Sequence, residues 1–417
     1  MLKVSDHVLI DNEWASMEAS PNIFEKDISD EAGRHDPIPF PTPKVDMGIY
    51  MDVSVQYVGR ERIIASSLVN CMNPNYAYVE QIEKPRIPTN MGYVMFCEVA
   101  TRIVCERQKE RLLFEVPEDP MTVAVKVSSW QKVMAYRSTG KAEDPLNEVG
   151  AMQYVGDNNH VLGCVDLISD EKYLYMVMPF LAQGDLLSLI SDERIGGLPE
   201  PIARNIFRQI LSTLRYLKQR GVVHRDISSE NIMLGDEGQC ILIDMGMALR
   251  VPKRMEGRRR SKIAGRGKCG KFAYMAPEIY ADADFFDGYA IDLWSCAVVL
   301  FTMLTGPNQA AMDDDRLLYE VASPMDPIFR ELTSADGRGL ERLLSRWELT
   351  MSKDAIDLLQ RMFRVNPLDR PTLEEIMTHP WVTKPDVATN SDLTRFMIIK
   401  RMKKMGLWRT PEYEPAF

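Results

Sequence analysis

Apolar residues gather in short β-leaning runs between residues 48 and 180, and recur at spacings of three or four between 199 and 221. The fragments YMDVSVQYV and RIIASSLV lean towards β-structure within residues 48–80. The runs VMFCEVATRIV (94–104), MTVAVKV (121–127) and LYMVMPF (174–180) read as strands, with a helix candidate between the last two. The stretch 199–221 spaces Ile202, Ile206, Ile210, Leu214 and Leu217 by three or four, which predicts an amphipathic helix with Gly221 at its C-cap. A small β-rich unit followed by a larger helical one predicts an α+β molecule of two lobes with a cleft between them. The first forty-five residues end in the proline cluster DPIPFPTPK (36–44), which reads as an irregular lead-in or linker.

Composition narrows this picture. The 417 residues are 45% hydrophobic and 26% charged, which excludes wholesale disorder. Sixty acidic against fifty basic residues give a net charge of −10, the wrong balance for coating nucleic acid, so no nucleic-acid partner is expected. Seven scattered cysteines, never in a CxxC pair, argue for a reducing compartment and against a structural zinc. The N-terminus has no apolar core of a signal peptide, and the longest apolar stretches, such as 297–304, fall short of a membrane span. A cytoplasmic location is expected, with the nucleus left open.

The strongest chemical signal is His224-Arg225-Asp226-Ile227-Ser228-Ser229-Glu230-Asn231, followed thirteen residues after the Asn by Asp244-Met245-Gly246. Phosphoryl transfer asks for one carboxylate to orient the attacking hydroxyl, and for a second carboxylate with an amide to hold Mg²⁺. The apolar run 240–243 predicts a strand that presents Asp244. Val123-Ala124-Val125-Lys126 is β-patterned with one lysine. About twenty residues on, Asp144-Pro145-Leu146-Asn147-Glu148 offers a cap residue, a proline at the first helical position and a glutamate in the first turn. Glu148 is either a solvated helix-start carboxylate or the partner of Lys126; the company of the downstream motifs favours the second. Tyr274-Met275-Ala276-Pro277-Glu278, Asp292-Leu293-Trp294-Ser295 and Asn366-Pro367-Leu368-Asp369-Arg370-Pro371 follow in order.

On these motifs, residues from about 90 to 383 resemble a eukaryotic protein kinase domain of the Ser/Thr type. The resemblance implies a bilobal fold: a small β-rich N-lobe (about 86–180) and a larger, mainly helical C-lobe (about 181–383). Residues 1–85 would be an extension of unknown role, and 384–417 a basic amphipathic tail. It implies ATP and Mg²⁺ as cofactors and a protein substrate. Asp226 resembles the catalytic base, Asn231 and Asp244 the metal ligands, and Lys126 with Glu148 the ion pair of the active state. The nucleotide positions would be Gly92, Phe96, Val99, Ala124, Lys126, Met178 (the gatekeeper), Phe180 and Leu181 of the hinge, Asp185 at the ribose, and Met233. Glu278 with Arg370 resemble a buried staple, and Asp292 an anchor beneath the catalytic loop.

The chain departs from the family in places that bear on activity. The pattern G-x-G-x-x-G-x-V aligns with Gly92-Tyr93-Val94-Met95-Phe96-Cys97-Glu98-Val99, keeping only the first glycine, the tip aromatic and the valine. Weaker nucleotide binding is expected, because Val94 and Cys97 would hinder backbone approach to phosphate. Ser228 stands where the family carries Lys, and Lys271 where it carries Thr. Either Lys271 points to solvent, or the cation has crossed the contact and Lys271 acts in catalysis. Met245 replaces a Phe, and Met152 and Cys164 occupy other positions of an internal hydrophobic spine, which predicts a less rigid one. An eroded glycine loop also leaves open a pseudokinase-like scaffold acting through partners.

From Asp244 to Glu278 there are ten Lys or Arg and three Asp or Glu. Ser261, in Arg-Arg-Arg-Ser-Lys, is the only Ser or Thr of that segment. It is expected to be phosphorylated by an upstream kinase or by autophosphorylation, pairing with Arg225 as the family does. Asp185 and Glu230 would favour arginine upstream of the target hydroxyl. Residues 392–408 are basic and amphipathic, and read as a packed terminal helix or solvated tail rather than a calmodulin-type or membrane-surface segment.

Overall fold

The first long strand, residues 46–57, contains Asp52-Val53-Ser54-Val55-Gln56, where polar and β-branched residues alternate. The computed structural model describes residues 34–60, 62–103, 112–139, 145–156, 158–191, 197–251, 262–264, 267–306 and 318–404. After the short β1 (Arg34–His35) come β2 (Asp46–Tyr57), β3 (Ile63–Asn70), β4 (Tyr76–Glu80), β5 (Ile87–Pro88), β6 (Gly92–Arg102), β7 (Leu113–Val116), β8 (Thr122–Ser129), β9 (Asp166–Ser169) and β10 (Tyr173–Pro179). Strands β2, β3, β4, β6, β8 and β10 pair antiparallel in turn. Strand β9 then joins β10 antiparallel and β2 parallel, so the sheet closes on itself. Strand β7 bridges β6 and β2 and divides the enclosed space. One side is filled by Val53, Val55, Val69, Ala77, Val79, Phe114 and Val116. The other is filled by Leu68, Met95, Cys97, Val123, Val125, Val127 and Val177.

This arrangement corrects the boundary drawn at residue 85. Residues 46–80 are not an extension ahead of the N-lobe; three of their strands close its sheet. Their β-leaning fragments were visible, but which strands they meet, including β7 and β9 at 59 and 122 residues from β2, is set by tertiary packing.

The other end follows expectation more closely. Helices α1 (Trp130–Arg137) and α2 (Pro145–Val155) lie between β8 and β9. Beyond α3 (Leu186–Ile190), the predicted amphipathic helix is α4 (Glu200–Gln219), with Ile202, Ile206, Ile210, Leu214 and Leu217 all buried. Its neighbour α5 (Gly288–Thr305) is apolar all round because it runs through the middle of the C-lobe. By length and composition it could cross a membrane, contrary to the expectation that the apolar stretch around 297–304 falls short, but 89% of that window is buried inside the protein. Four short strand pieces, β11 (Val222–Val223), β12 (Ile232–Leu234), β13 (Cys240–Leu242) and β14 (Leu249–Arg250), carry the loops that face the N-lobe. Further on, β15 (Lys262–Ala264) pairs with β16 (Phe285–Asp287). The lobes are joined where Leu162 N donates to Leu242 O, and Leu242 N to His160 O, both at 2.9 Å. The Arg370 guanidinium forks onto Glu278 at 2.7 and 2.6 Å, buried in the C-lobe. The tail residues 390–404 form α6 (Asn390–Lys404), which packs on α4 and buries Leu393 and Met397; residues 405–408 of the segment read as a packed helix or solvated tail lie outside the described residues.

Phe114 is fully buried between β2 and β6. Phe114→Ala is therefore expected to cost about 3–5 kcal/mol, measured by urea unfolding. A loss below about 1 kcal/mol would mean that the closed sheet does not exist.

Candidate active site

Strand β8 buries Val123, Val125 and Val127 inside the closed sheet, and period two then turns Ala124 and Lys126 to the opposite face. Helix α2 packs over that face. Pro145 opens it, its Glu148 lies in the first turn, and Asp144 lies outside the described residues. Lys126 Nζ donates to both Glu148 oxygens, at 2.9 and 2.6 Å. Glu148 is 6% exposed, so the reading of it as a solvated carboxylate is excluded. One residue earlier, Asn147 Nδ2 donates to Ala248 O at 2.8 Å, tying α2 to the chain just beyond Asp244.

The catalytic-loop motif leaves β11 into a turn held from below. Asp292, on α5, accepts from His224 N and from Arg225 N, each at 2.8 Å. Burial pushes the Asp292 carboxyl up, while the His224 and Arg225 amides and the Arg225 charge pull it back. Arg225 and Asp244 both adopt left-handed backbone, φ 69° and 64°, which is costly for residues with a Cβ and persists only where packing enforces it. Asn231 Nδ2 donates to Asp226 O and to Asp226 Oδ2, both at 2.8 Å, which leaves Asn231 Oδ1 as the acceptor. The β12–β13 hairpin pairs Ile232 with Leu242, and Ile243 N donates to Asn231 O, so Asn231 and Asp244 leave adjacent strand ends. Gly246 N caps Asp244 Oδ1 at 3.2 Å.

Lys271 does not point to solvent alone. Its Nζ donates to Ser228 Oγ at 2.8 Å, pairs with Glu230 Oε2 at 2.5 Å and lies 3.5 Å from Asn231 Oδ1. Its backbone N–H donates to Asp226 Oδ1 at 3.2 Å. Gly270 makes the approach possible: at φ 83°, a Cβ there would stand 2.8 Å from Arg225 O and 3.3 Å from Asp226 Oδ1. Both carboxylates expected to favour an upstream arginine are engaged, Glu230 by Lys271 and Asp185 as the cap accepting from Ser188 N at 2.6 Å. Met245 and Met152 are buried in one continuous core, with Cys164 packed against it. Ser261, Lys253, Arg254 and Arg258-Arg259-Arg260 lie outside the described residues. Arg225 donates to Met247 O at 3.4 Å and lies over the Phe286 ring.

On the nucleotide side, Met178 pairs across the ladder with Ala124, and Asp185 bridges to Met233. Two positions require correction. Gly92 to Val99 is not a loop; it is all within β6, paired to β8 from Gly92 opposite Ser128 to Glu98 opposite Thr122. Val99 packs against the interior of the closed sheet with Met95 and Cys97, on the face away from Ala124 and Lys126, and so cannot line the cleft. Phe96 stays on the cleft face opposite Ala124, and meets Phe180 edge to face at 5.2 Å. The residue opposite Lys126 is Val94, which the sequence reading missed. The signal was present: Gly92-Tyr93-Val94 fits the closing G-x-V of the family pattern, and strand register selects that end over the opening glycine. The β4–β6 connection, 81–91, then takes the loop's place and contains no glycine. It is pinned by Gln81 N to Phe96 O (2.9 Å), by β5 against β6, and by Arg86 on Glu80. Lys84 Nζ sits over the Phe96 and Phe180 rings, at 5.7 and 5.1 Å.

Comparison with known proteins adds to this geometry. The model of the protein kinase domain matches residues 117–382, more than half of the chain. The chain is similar to CBL-interacting serine/threonine-protein kinase 16 of Arabidopsis thaliana, 31% identical over 277 residues, covering 65% of this chain and 54% of that protein. CBL-interacting protein kinase 4 of Oryza sativa subsp. japonica is 33% identical over 272 residues, with the same shares. Sperm motility kinase 3A of Mus musculus is 30% identical over 230 residues, covering 55% of this chain and 40% of that protein. The chain thus spans about half the length of the curated relatives it matches.

The anchor beneath the catalytic loop is open to test without any substrate. Asp292→Ala strips the acceptor from two buried N–H groups, and is expected to destabilise by about 2–4 kcal/mol in urea unfolding. A change below about 0.5 kcal/mol would show that those amides find another partner.

Proposed function

Because the chain belongs to the protein kinase domain family, we propose that it transfers the γ-phosphate of ATP to Ser or Thr hydroxyls of a protein substrate. The observation that carries this reading is the joint engagement of Asp226, Asn231 and Lys271 at the end of β11, under a formed Lys126–Glu148 pair. Asp226, held by Asn231 and the Lys271 amide, orients the substrate hydroxyl and takes its proton. Asn231 Oδ1 and the Asp244 carboxylate are hard oxygen donors. Among the described residues no group of three or more His, Cys, Asp or Glu forms a metal cage. A site with one amide oxygen and one carboxylate suits Mg²⁺ whose remaining ligands are phosphate oxygens and water. Held there with ATP, such an ion would supply positive charge against the charge that develops during transfer.

Lys271 supplies the cation that Ser228 lacks. Its ammonium reaches Ser228 Oγ, the position from which the family's lysine works, and the same contact keeps it beside Asp226. An upstream arginine is not part of the proposed specificity, since Glu230 already carries a cation. The glycine-free connection 81–91 offers few free N–H groups to phosphate, with Pro85 and Pro88 lacking them outright, so nucleotide binding is weak.

A [γ-³²P]ATP assay on the full chain tests the enzyme. Asp226→Asn and Asp244→Ala are each expected to lose at least ~10³-fold in kcat. If the wild type transfers nothing under conditions where its fold is intact, the scaffold reading replaces the enzyme. The relocated cation has a sharper test in a swap. Lys271→Thr should lower kcat by about 10–100-fold with little change in ATP affinity measured by calorimetry, and Ser228→Lys added to it should restore most of the loss. Additive losses in the double variant would refute the relocation.

A further inference from the structure

The proline cluster ahead of the first long strand is not a linker. Residues 37–44 cross the outer side of α2 and the chain beyond Asp244 before entering the sheet. Ile38 N donates to Arg250 O at 2.8 Å as an antiparallel bridge, and Arg250 donates back to Pro39 O at 3.5 Å. Phe40 lies against α2, its ring edge on to Tyr154 at 5.7 Å. Gly150 is the close-approach point: a Cβ there would stand 3.2 Å from both Phe40 Cβ and Pro41 O. One turn on, Lys44 N donates to Gln153 Oε1 at 2.8 Å, and Gln153 Nε2 donates to Lys44 O at 2.9 Å. Upstream, β1 runs parallel to β15, with Arg34 opposite Lys262 and His35 opposite Ile263.

The chemistry of the segment suits a clamp. Prolines at 37, 39, 41 and 43 fix φ at alternate residues and hold their neighbours extended, so little chain entropy is lost on docking. They also remove the N–H groups from one edge, so the ribbon can bridge two elements without recruiting a further strand. Its contacts reach α2 at Gly150, Gln153 and Tyr154, two, five and six residues after Glu148. They reach the segment after Asp244 at Arg250, whose guanidinium also covers the Tyr154 ring at 4.6 Å. The three parts form one stack: ribbon, helix, segment.

We propose that residues 37–44 are a built-in positioning clamp, which presses α2 inward and so holds Glu148 on Lys126 in the resting protein. Phe40 and Gln153 touch no reacting atom and act through Glu148. The inference rests on the kinase reading only for its activity consequence.

Hydrogen exchange on the full-length protein, followed by mass spectrometry, reads the clamp directly. Gly150→Leu raises helix propensity yet drives a side chain into Phe40 and Pro41, whereas Phe40→Ala removes the anchor. Both are expected to speed exchange of the α2 amides at least ~10-fold while those of α4 stay unchanged. In the same variants kcat should fall at least ~10-fold with KM for the protein substrate within about threefold, and Phe40→Leu should recover most of both effects. Should those variants unfold the C-lobe, Gln153→Ala, on an exposed hydrogen bond, should still speed α2 exchange about threefold. Unchanged α2 exchange in the folded variants overturns the clamp. Faster exchange in a protein with no phosphotransfer supports the clamp and rejects the kinase activity alone.

Discussion

A carboxylate that has lost its water must find a cation, and in this protein that need couples two elements that share no backbone pairing. Glu148 is buried on α2, and Lys126 stands alone among valines on β8. Their contact fixes how far α2 reaches towards the sheet. Everything placed by α2 inherits that distance, including the Asn147 bond to Ala248 and hence the course of the chain after Asp244. A buried charge without its partner is strongly unfavourable, whereas a buried pair is near neutral, so the contact acts more as a register mark than as a source of stability.

The second constraint is the crowding around Asp226. Two backbone passages, the end of the β13 strand and the turn at Gly270, each hydrogen-bond to the catalytic loop, at Asn231 and at Asp226. That density explains why two non-glycine residues tolerate left-handed backbone, and why a side chain at position 271 can serve a place in the loop more than forty residues earlier. The exchange of Ser228 and Lys271 relative to the family keeps the total charge of the cluster and changes only which strand end delivers it. Glu230 then answers to Lys271, which makes the local field nearer neutral than the sequence suggests.

Much of the site was legible because its residues are local in sequence. The spacing from Asp226 to Asn231 to Asp244 is the length of one loop and one hairpin. The same holds for the α4 helix, where five apolar residues mark a face that the structure buries completely. The glycine loop was misplaced for the opposite reason. Residues 93–97 are a continuous apolar run, and a one-sided pattern match could not tell the opening glycine from the closing one; only the pairing of Val94 with Lys126 decides it. Val99 followed from that error, since a shift in the assigned register turned a residue of the sheet interior into a cleft residue.

By itself the sequence determined the chemistry available: which carboxylates, amide and lysines exist, and in what order along two lobes. The tertiary structure alone decided that residues 46–80 complete the N-lobe, that Lys271 folds back onto Ser228, and that a proline ribbon braces α2. Local periodicity reports which face of an element is apolar, because that depends on neighbours two to four residues away. Which distant element covers that face depends on shape and on the joint burial of many side chains, and no short window of sequence contains that information.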